Sequence, residues 1–207
     1  MNLLFYAGNS FALDLKKERG NSENGCTSGS PVQGEITCFI PEGFSVLHVA
    51  TGDFNLDAYP DKILVLKRND EEESGNYDGD YEAAYPRPLL ILAGQADKTY
   101  KLVARNDKTV YCYRCGGMLG DPFTGVTIEK GFFSIEFYGG SGGGRWTRIV
   151  TYRYSKPDNA WFLHRDGVEG FDPWTGKTTH ETMYTVKDFG KLPFEKFDIY
   201  RRHSGSE

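Results

Sequence analysis

The sequence predicts an all-β fold, a single domain of many short antiparallel strands that is propeller-like or built as a sandwich or barrel, with few short helices. Three observations support this prediction. Runs of alternating apolar and polar residues recur from Lys62 onward at the spacing of short strands. Glycine accounts for 25 of the 207 residues, an excess that suits tight turns. No segment carries a sustained apolar stripe of helical period.

The strands are predicted wherever the period-two alternation is clear. These segments are Lys62–Lys67, Pro88–Leu92, Tyr100–Arg105, Thr109–Tyr113, Val126–Ile128, Phe132–Tyr138, Trp146–Tyr154, Trp161–His164, Met183–Val186 and Phe197–Arg201. Gly-rich and polar residues between them predict turns, and Arg19–Gly34 and Asn69–Tyr85 are predicted as longer loops. We therefore expect an N-terminal segment at 1–35, a β-rich domain at 36–201 and a tail at 202–207.

Composition excludes several classes of protein. Aromatic residues make up 14% of the chain, far more than a disordered protein carries. The net charge of −5 argues against a nucleic-acid-binding surface, which requires clustered lysine and arginine. No run of about 18 apolar residues is present, so we expect no membrane span.

The start of the chain allows two interpretations. The apolar stretch Leu3–Ala7 is short and lacks a basic region before it, while Ser10 and Ala12 resemble the small residues of a signal-peptide cleavage site. The segment is therefore either the remnant of a secretory signal or an ordinary N-terminal strand or tail.

Four cysteines bear on the compartment, namely Cys26, Cys38, Cys112 and Cys115. Cys112 and Cys115 form a CxxC motif, but it ends an alternating run and leads into Gly116-Gly117, unlike a thioredoxin site that opens a helix. A zinc cluster would need a second close pair of cysteines. Structural disulfides or buried thiols remain, and we favour disulfides. This predicts a periplasmic or extracellular protein.

The segment from Gly52 to Asp61 carries the clearest chemistry in the chain. Its side chains supply oxygen atoms at alternate positions, and a hydrophobic run follows directly. Such a loop suits Ca²⁺, which prefers about six to eight oxygen ligands. The expected ligands are Asp53, Asn55, Asp57, Asp61 and the backbone carbonyl of Tyr59. Leu64 stands where an EF-hand requires glutamate, so the loop is not an EF-hand. The alternative is a metal-free acidic turn whose Asp and Asn side chains bond their own backbone.

The D-x-N-x-D-x-x-x-D spacing resembles the calcium loops of FG-GAP and VCBS-type repeats, which occur in integrin-like β-propellers. The segments 40–47, 62–67, 115–123 and 132–138 look similar to a family of uncharacterised bacterial envelope proteins, and the resemblance spans about 39–201. It implies that the matching residues Asp53, Asn55, Asp57 and Asp61 hold the ion. Ala58 departs from the pattern, because such loops usually have glycine there. If that position takes a positive φ, alanine costs about 1–2 kcal/mol and weakens the site.

Other signals are weaker. The run from Tyr138 to Gly144 is typical of a flexible hairpin rather than a phosphate loop, because a strand-like alternation follows it. Arg145, Trp146 and Trp174 are candidates for a partner-binding surface, since these residue types anchor interfaces. For Trp174 the commoner outcome is a ring folded back onto the core. A pair of catalytic carboxylates could be drawn from Glu136 and Asp166, although any acidic β protein offers such pairs.

We expect a non-enzymatic module of the bacterial envelope in which Ca²⁺ stiffens one edge while the loops bind another molecule. By analogy with similar calcium-loop proteins, it would be an immunity protein or inhibitor of a cell-wall hydrolase, whose basic surface would complement an acidic chain. One alternative is a carbohydrate-active or other hydrolase that uses the calcium loop as a scaffold. A metal-free structural or interaction domain is the other.

Overall fold

The computed structural model describes residues 36–74 and 85–201. Within them, nine strands form two antiparallel sheets. The strands are β1 (Phe44–Gly52), β2 (Asp61–Arg68), β3 (Leu89–Gly94), β4 (Tyr100–Asn106), β5 (Phe123–Glu129), β6 (Phe132–Ser141), β7 (Gly144–Ser155), β8 (Ala160–Phe171) and β9 (Thr178–Thr185). The helices are α1 (Glu71–Ser74) and α2 (Val186–Phe189), with 3-10 turns at Thr37–Phe39 and Phe194–Lys196.

Each sheet is a meander in which neighbours in sequence are neighbours in space. The first sheet has the order β1-β2-β3-β4 and the second has β5-β6-β7-β8-β9. Neither sheet closes on itself, and their inner faces pack together around one apolar core. The predicted all-β fold is confirmed, and among the predicted architectures it is a sandwich.

The main core lies between the sheets and also includes the segment after α2. Its members include Phe54, Ile63, Val65, Leu89, Ile91, Phe133, Ile135, Phe137, Val150, Tyr152, Trp161, Leu163, Phe194, Phe197 and Ile199. The opposite face of β2 and β3 forms a second cluster with Phe39. Burial on both faces explains why these two strands are continuous apolar runs, in contrast to the alternation predicted for Lys62–Lys67 and Pro88–Leu92.

The alternation of apolar and polar residues predicted two strands that the described structure lacks and missed one strand that it has. Thr109–Tyr113 and Phe197–Arg201 belong to no strand of the described structure. Phe197 and Ile199 are buried alternately, whereas the neighbours Thr109 and Val110 are both buried. The backbone groups of the two segments bond to side chains and isolated carbonyls instead of a neighbouring strand, as when Asn106 donates to the carbonyl oxygens of Phe194 and Phe197. Conversely, β1 was not predicted, because its residues are mostly half-buried and show no sharp alternation.

The cysteines follow the disulfide interpretation as far as the structure describes them. Cys112 is bonded to Cys115, with their Cα atoms 5.2 Å apart, and Cys38 is also disulfide-bonded. Cys26, Ser10 and Ala12 lie outside the described residues. No helix within 36–74 or 85–201 is long and apolar enough to cross a membrane.

Candidate metal centre and surrounding surfaces

The predicted cation loop connects β1 to β2, whose ends pair through Gly52 and Asp61. Two of its residues have left-handed backbone, Leu56 with φ of 65° and Ala58 with φ of 74°. Glycine is usual at the Ala58 position in the loops that this segment resembles, and alanine adopts the positive φ there at a cost of about 1–2 kcal/mol. The loop has the tight curvature that brings alternate side chains together.

Inside the loop, carboxylates accept backbone N–H groups. The Asp53 carboxylate accepts from the amides of Leu56 at 2.8 Å, Asp57 at 3.2 Å and Ala58 at 3.1 Å. The Asp57 carboxylate accepts from the amide of Tyr59 at 2.8 Å. These are the bonds that the metal-free alternative predicts, and they hold the carboxylates in place.

Asp61 is a buried carboxylate of the site and is held by backbone hydrogen bonds. Its side chain is 0% exposed, and its oxygens accept from the amides of Phe54 and Asn55, both at 3.2 Å, and of Gly94 at 3.0 Å. Burial raises its pKa to about 6, because desolvation outweighs these hydrogen bonds and the nearby charge of Asp57 adds to it. Among the described residues, every hydrogen-bond donor to this carboxylate is a neutral N–H group.

The Asn55 amide joins the remaining groups. Its Nδ2 donates to Asp57 Oδ2 at 2.8 Å and to Asp61 Oδ1 at 3.3 Å, while its Oδ1 accepts from the Asp57 amide at 3.0 Å. The NH₂ group therefore occupies the space between two carboxylates. Within the described part of the chain, no three His, Cys, Asp or Glu side chains are grouped closely enough to hold a metal by themselves. A cation would displace this NH₂ group and require the amide to turn its oxygen inward.

The donor set fits Ca²⁺ in its chemistry. Side-chain oxygens from Asp53, Asn55, Asp57 and Asp61 are hard ligands, which Ca²⁺ prefers over nitrogen and sulfur. Asp61 Oδ1 needs only to release Asn55 Nδ2 to offer a lone pair, since its bond to Gly94 uses the other. Turning the Asn55 amide would place its oxygen beside those of Asp57 and Asp61, and the Asp53 carboxylate would also have to move closer to complete the set.

The cation loop packs against both sheets. The Phe54 ring is fully buried between them, with its centroid 5.9 Å from that of Phe133 and 5.6 Å from that of Trp161. At the other end, Gly94 lies so close to the loop that a Cβ there would be 2.3 Å from the Pro60 carbonyl oxygen. Glycine is therefore required where β3 ends against the loop. A change in the loop is transmitted to the core through Phe54.

A groove of about 560 Å³ lies beside this loop. Its lining includes Tyr59, Pro60, Gln95 and Tyr100, and the Tyr59 ring is exposed. The loop that would bind the ion thus also forms one wall of a concave surface. The backbone carbonyl of Tyr59 remains a predicted ligand.

The three candidate partner-binding residues have different positions. Trp146 lies half-buried against the main core, with its ring 5.9 Å from that of Tyr111, and packs over Gly139, and its contact with a partner stays a prediction. Arg145 donates to the Gly144 carbonyl oxygen at 2.9 Å. Trp174 is 76% exposed, contrary to the expectation that it folds back onto the core. Its turn is held outward because Asp172 accepts its backbone N–H.

The carboxylate pair considered for a hydrolase does not form. Glu136 pairs in register with Ile149 on the outer face of the second sheet, whereas Asp166 pairs with the buried Val150 on the inner face. Asp166 instead makes a bidentate ion pair with Arg148, at 2.6 and 2.8 Å. Sequence analysis missed this pair, although Arg148 has the same alternation as Val150 and an inward-facing arginine requires a buried partner.

A second buried arginine was also missed. Arg87 is 0% exposed and contacts two carboxylates, Glu71 at 2.6 and 3.0 Å and Asp121 at 2.7 and 2.8 Å. These paired charges raise the arginine pKa despite burial, which acts in the opposite direction. The cluster ties α1, the start of β3 and the loop after the disulfide together.

No protein-family model, curated protein or solved structure matches the chain.

Proposed function

We propose that this chain is a non-enzymatic binding module of the bacterial envelope whose β1–β2 loop binds Ca²⁺, as in FG-GAP and VCBS-type repeats. The observation that carries the proposal is the convergence of Asp57 and Asp61 on the single Asn55 amide. Two carboxylates that share one neutral donor repel each other, and a divalent cation at that point would replace repulsion with coordination.

The ion's role would be structural. It would fix the loop wall formed by Tyr59 and Pro60 beside the groove. A surface that is already ordered loses less conformational entropy when it binds another molecule. Calcium would therefore support binding without taking part in a reaction.

The partner class follows from charge and from the resemblance. With a net charge of −5, the chain suits a basic partner, because complementary charge raises association rates and disfavours wrong partners. A secreted cell-wall hydrolase is such a partner, and the module would then serve as its immunity protein or inhibitor. The disulfide at Cys112 and Cys115 suits an oxidising compartment.

Thermal melting with Ca²⁺ and with chelator tests the ion. Calcium at about 100 times its Kd should stabilise the folded protein by roughly 2.7 kcal/mol if it binds only the folded form. Asp57→Asn should abolish this difference, because it removes one charge and one ligand. The substitution keeps an oxygen that can accept the Tyr59 N–H, so the chelated variant should melt close to the chelated parent.

Asp97→Asn is the matched control. Asp97 also accepts a backbone N–H two residues ahead, from Thr99, in an exposed turn outside the cation loop. This variant should keep the full calcium-dependent shift. Equal melting of the parent protein with and without Ca²⁺ would contradict the proposal and leave the loop as a metal-free turn.

A further inference from the structure

Three loops meet at one end of the second sheet. They are residues 117–120, the β6–β7 hairpin at 141–144 and the β8–β9 turn at 172–177, and we call them together the glycine tip. Met118 donates its backbone N–H to the Gly140 carbonyl at 3.0 Å, and the Gly142 N–H contacts the Met118 sulfur at 3.4 Å. The Trp174 ring lies against Gly143, where a Cβ would be 3.0 Å from it. The tip is therefore one connected structure.

The glycine tip carries the two most exposed large hydrophobic side chains of the described residues. Met118 is 80% exposed and Trp174 is 76% exposed, and Leu119 beside them is 42% exposed. Trp174 is held in this position because Asp172 accepts the N–H groups of Trp174 and Thr175, at 2.8 and 2.9 Å. Exposed apolar groups concentrated at one place on a surface mark an interaction site.

Basic residues flank the loops of the tip in the sequence, although the whole chain is acidic. Arg114 lies four residues before Met118, Arg145 is the second residue of β7, and Lys177 ends the turn that carries Trp174. Of the acidic residues there, Asp172 accepts two N–H groups of its own loop, and Asp121, which follows the first loop, is paired with Arg87. The three basic residues outnumber the one acidic residue that has no basic partner among the described residues, which favours an anionic partner.

An arginine side chain lies against backbone carbonyl groups of the β6–β7 hairpin. The Arg145 guanidinium donates to the Gly144 carbonyl at 2.9 Å and contacts the Gly142 carbonyl at 3.5 Å. Satisfying these carbonyl groups within the protein lowers the cost of bringing the hairpin into a region with little water.

We propose that the glycine tip docks the protein on the surface of an anionic phospholipid bilayer. Trp174, Met118 and Leu119 would enter the boundary between headgroups and acyl chains, where tryptophan is enriched, and the basic side chains would lie at the level of the phosphates. A protein partner fits less well, because the tip is a small projection of turns, whereas a stable protein interface buries about 800 Å² on each side.

This docking is independent of the proposed calcium site. The cation loop lies at the opposite end of the second sheet, where Leu56 contacts Gly131 in the β5–β6 turn. Bilayer binding should therefore be unchanged by a chelator. Its loss on chelation would overturn the assignment to the glycine tip.

Vesicle flotation tests the proposal with the full chain. Vesicles of phosphatidylcholine and phosphatidylglycerol should carry the protein upward, vesicles of phosphatidylcholine alone should carry far less, and added salt should release it. Trp174→Ser and Met118→Ser should each weaken partitioning about tenfold. The tryptophan emission of the parent should shift to the blue on anionic vesicles, and Trp174→Ser should abolish that shift.

Met183→Ser is the matched control, because Met183 is 49% exposed on the outer face of the second sheet, away from the tip. It should leave flotation unchanged. Replacing Arg145 and Lys177 together by glutamine should remove the preference for anionic vesicles. Thermal melting of every variant shows that it is folded.

Three further results would overturn the proposal. The parent protein could remain below the anionic vesicles, or Trp174→Ser could float as well as the parent. Alternatively, the tip variants could keep vesicle binding while losing affinity for a soluble acidic protein, which would assign the tip to a protein partner.

Discussion

At the residue scale, the buried carboxylate of Asp61 is the group of the candidate site whose ionisation affects the stability of the fold. It is fully buried at the first position of β2, and its charge is stabilised by N–H groups of Phe54, Asn55 and Gly94 rather than by a basic side chain. Its pKa is raised to about 6 from the ordinary 3.8. The folded protein therefore holds this proton more tightly than the unfolded chain does, and protonation of Asp61 stabilises the fold.

This shift predicts a pH dependence in the chelated protein. The contribution of Asp61 to stability is fully present below about pH 4 and is lost as the pH rises through about 6, for a total of about 3 kcal/mol. Between about pH 7 and pH 5 it should raise the free energy of unfolding in urea by about 1 kcal/mol. The measured quantity is the difference in pH dependence between the parent and Asp61→Asn, in which the group cannot titrate. Parallel pH profiles for the two proteins would contradict the prediction.

Sequence spacing could predict which residues form the loop, but not the arrangement of its atoms. The alternate oxygen positions are visible along the chain, whereas left-handed backbone at Ala58 was implied only by the resemblance, and the structure has that backbone. The position of the Asn55 NH₂ group between Asp57 and Asp61 depends on a side-chain rotation that leaves no mark in the sequence. Whether the site holds an ion depends on that rotation and stays a prediction.

At the scale of elements, alternation predicted burial more reliably than it predicted strands. Phe197 and Ile199 are buried as a strand would bury them, yet the Ile199 N–H bonds to the Lys108 carbonyl and the segment joins neither sheet. Alternate burial requires only an extended segment lying on a core, whereas a strand requires a neighbour in register. The neighbour is set by the tertiary fold and cannot be deduced from a local pattern.

The buried Arg87 cluster gives a prediction at this scale. Arg87→Met removes the cation that neutralises Glu71 and Asp121, and Glu71 is left buried without it. The free energy of unfolding should fall by about 3–5 kcal/mol, since breaking a buried ion pair leaves an uncompensated charge. Urea denaturation measures the change.

Arg105→Met is the control for that variant. Arg105 also makes a bidentate contact with a carboxylate, that of Asp107, but both side chains are exposed. Its replacement should change the free energy of unfolding by less than about 1 kcal/mol. Equal losses of unfolding free energy in the two variants would show that the buried position of Arg87 adds nothing to the stabilising effect of its ion pairs.

At the scale of the whole molecule, the two sheets share their core instead of each having its own. Phe54, which belongs to the cation loop of the first sheet, packs against Phe133 and Trp161 of the second. At the β1–β5 boundary the sheets also approach closely, since a Cβ on Gly52 would lie 2.7 Å from the Ile128 side chain. Neither sheet can therefore lose its inner face without exposing that of the other.

This shared core predicts a single unfolding transition. Far-ultraviolet circular dichroism, which reports the strands, and the near-ultraviolet signal of the aromatic core should change at the same denaturant concentration. Phe54→Ala should move both midpoints down together, with a loss of about 3–5 kcal/mol from the cavity left between the sheets. Phe39→Ala, in the cluster on the other face of the first sheet, should also keep the two signals coincident. If Phe54→Ala instead separated the signals into two transitions, the sheets would be independent units, and an ion at the loop could not stiffen the second sheet through Phe54.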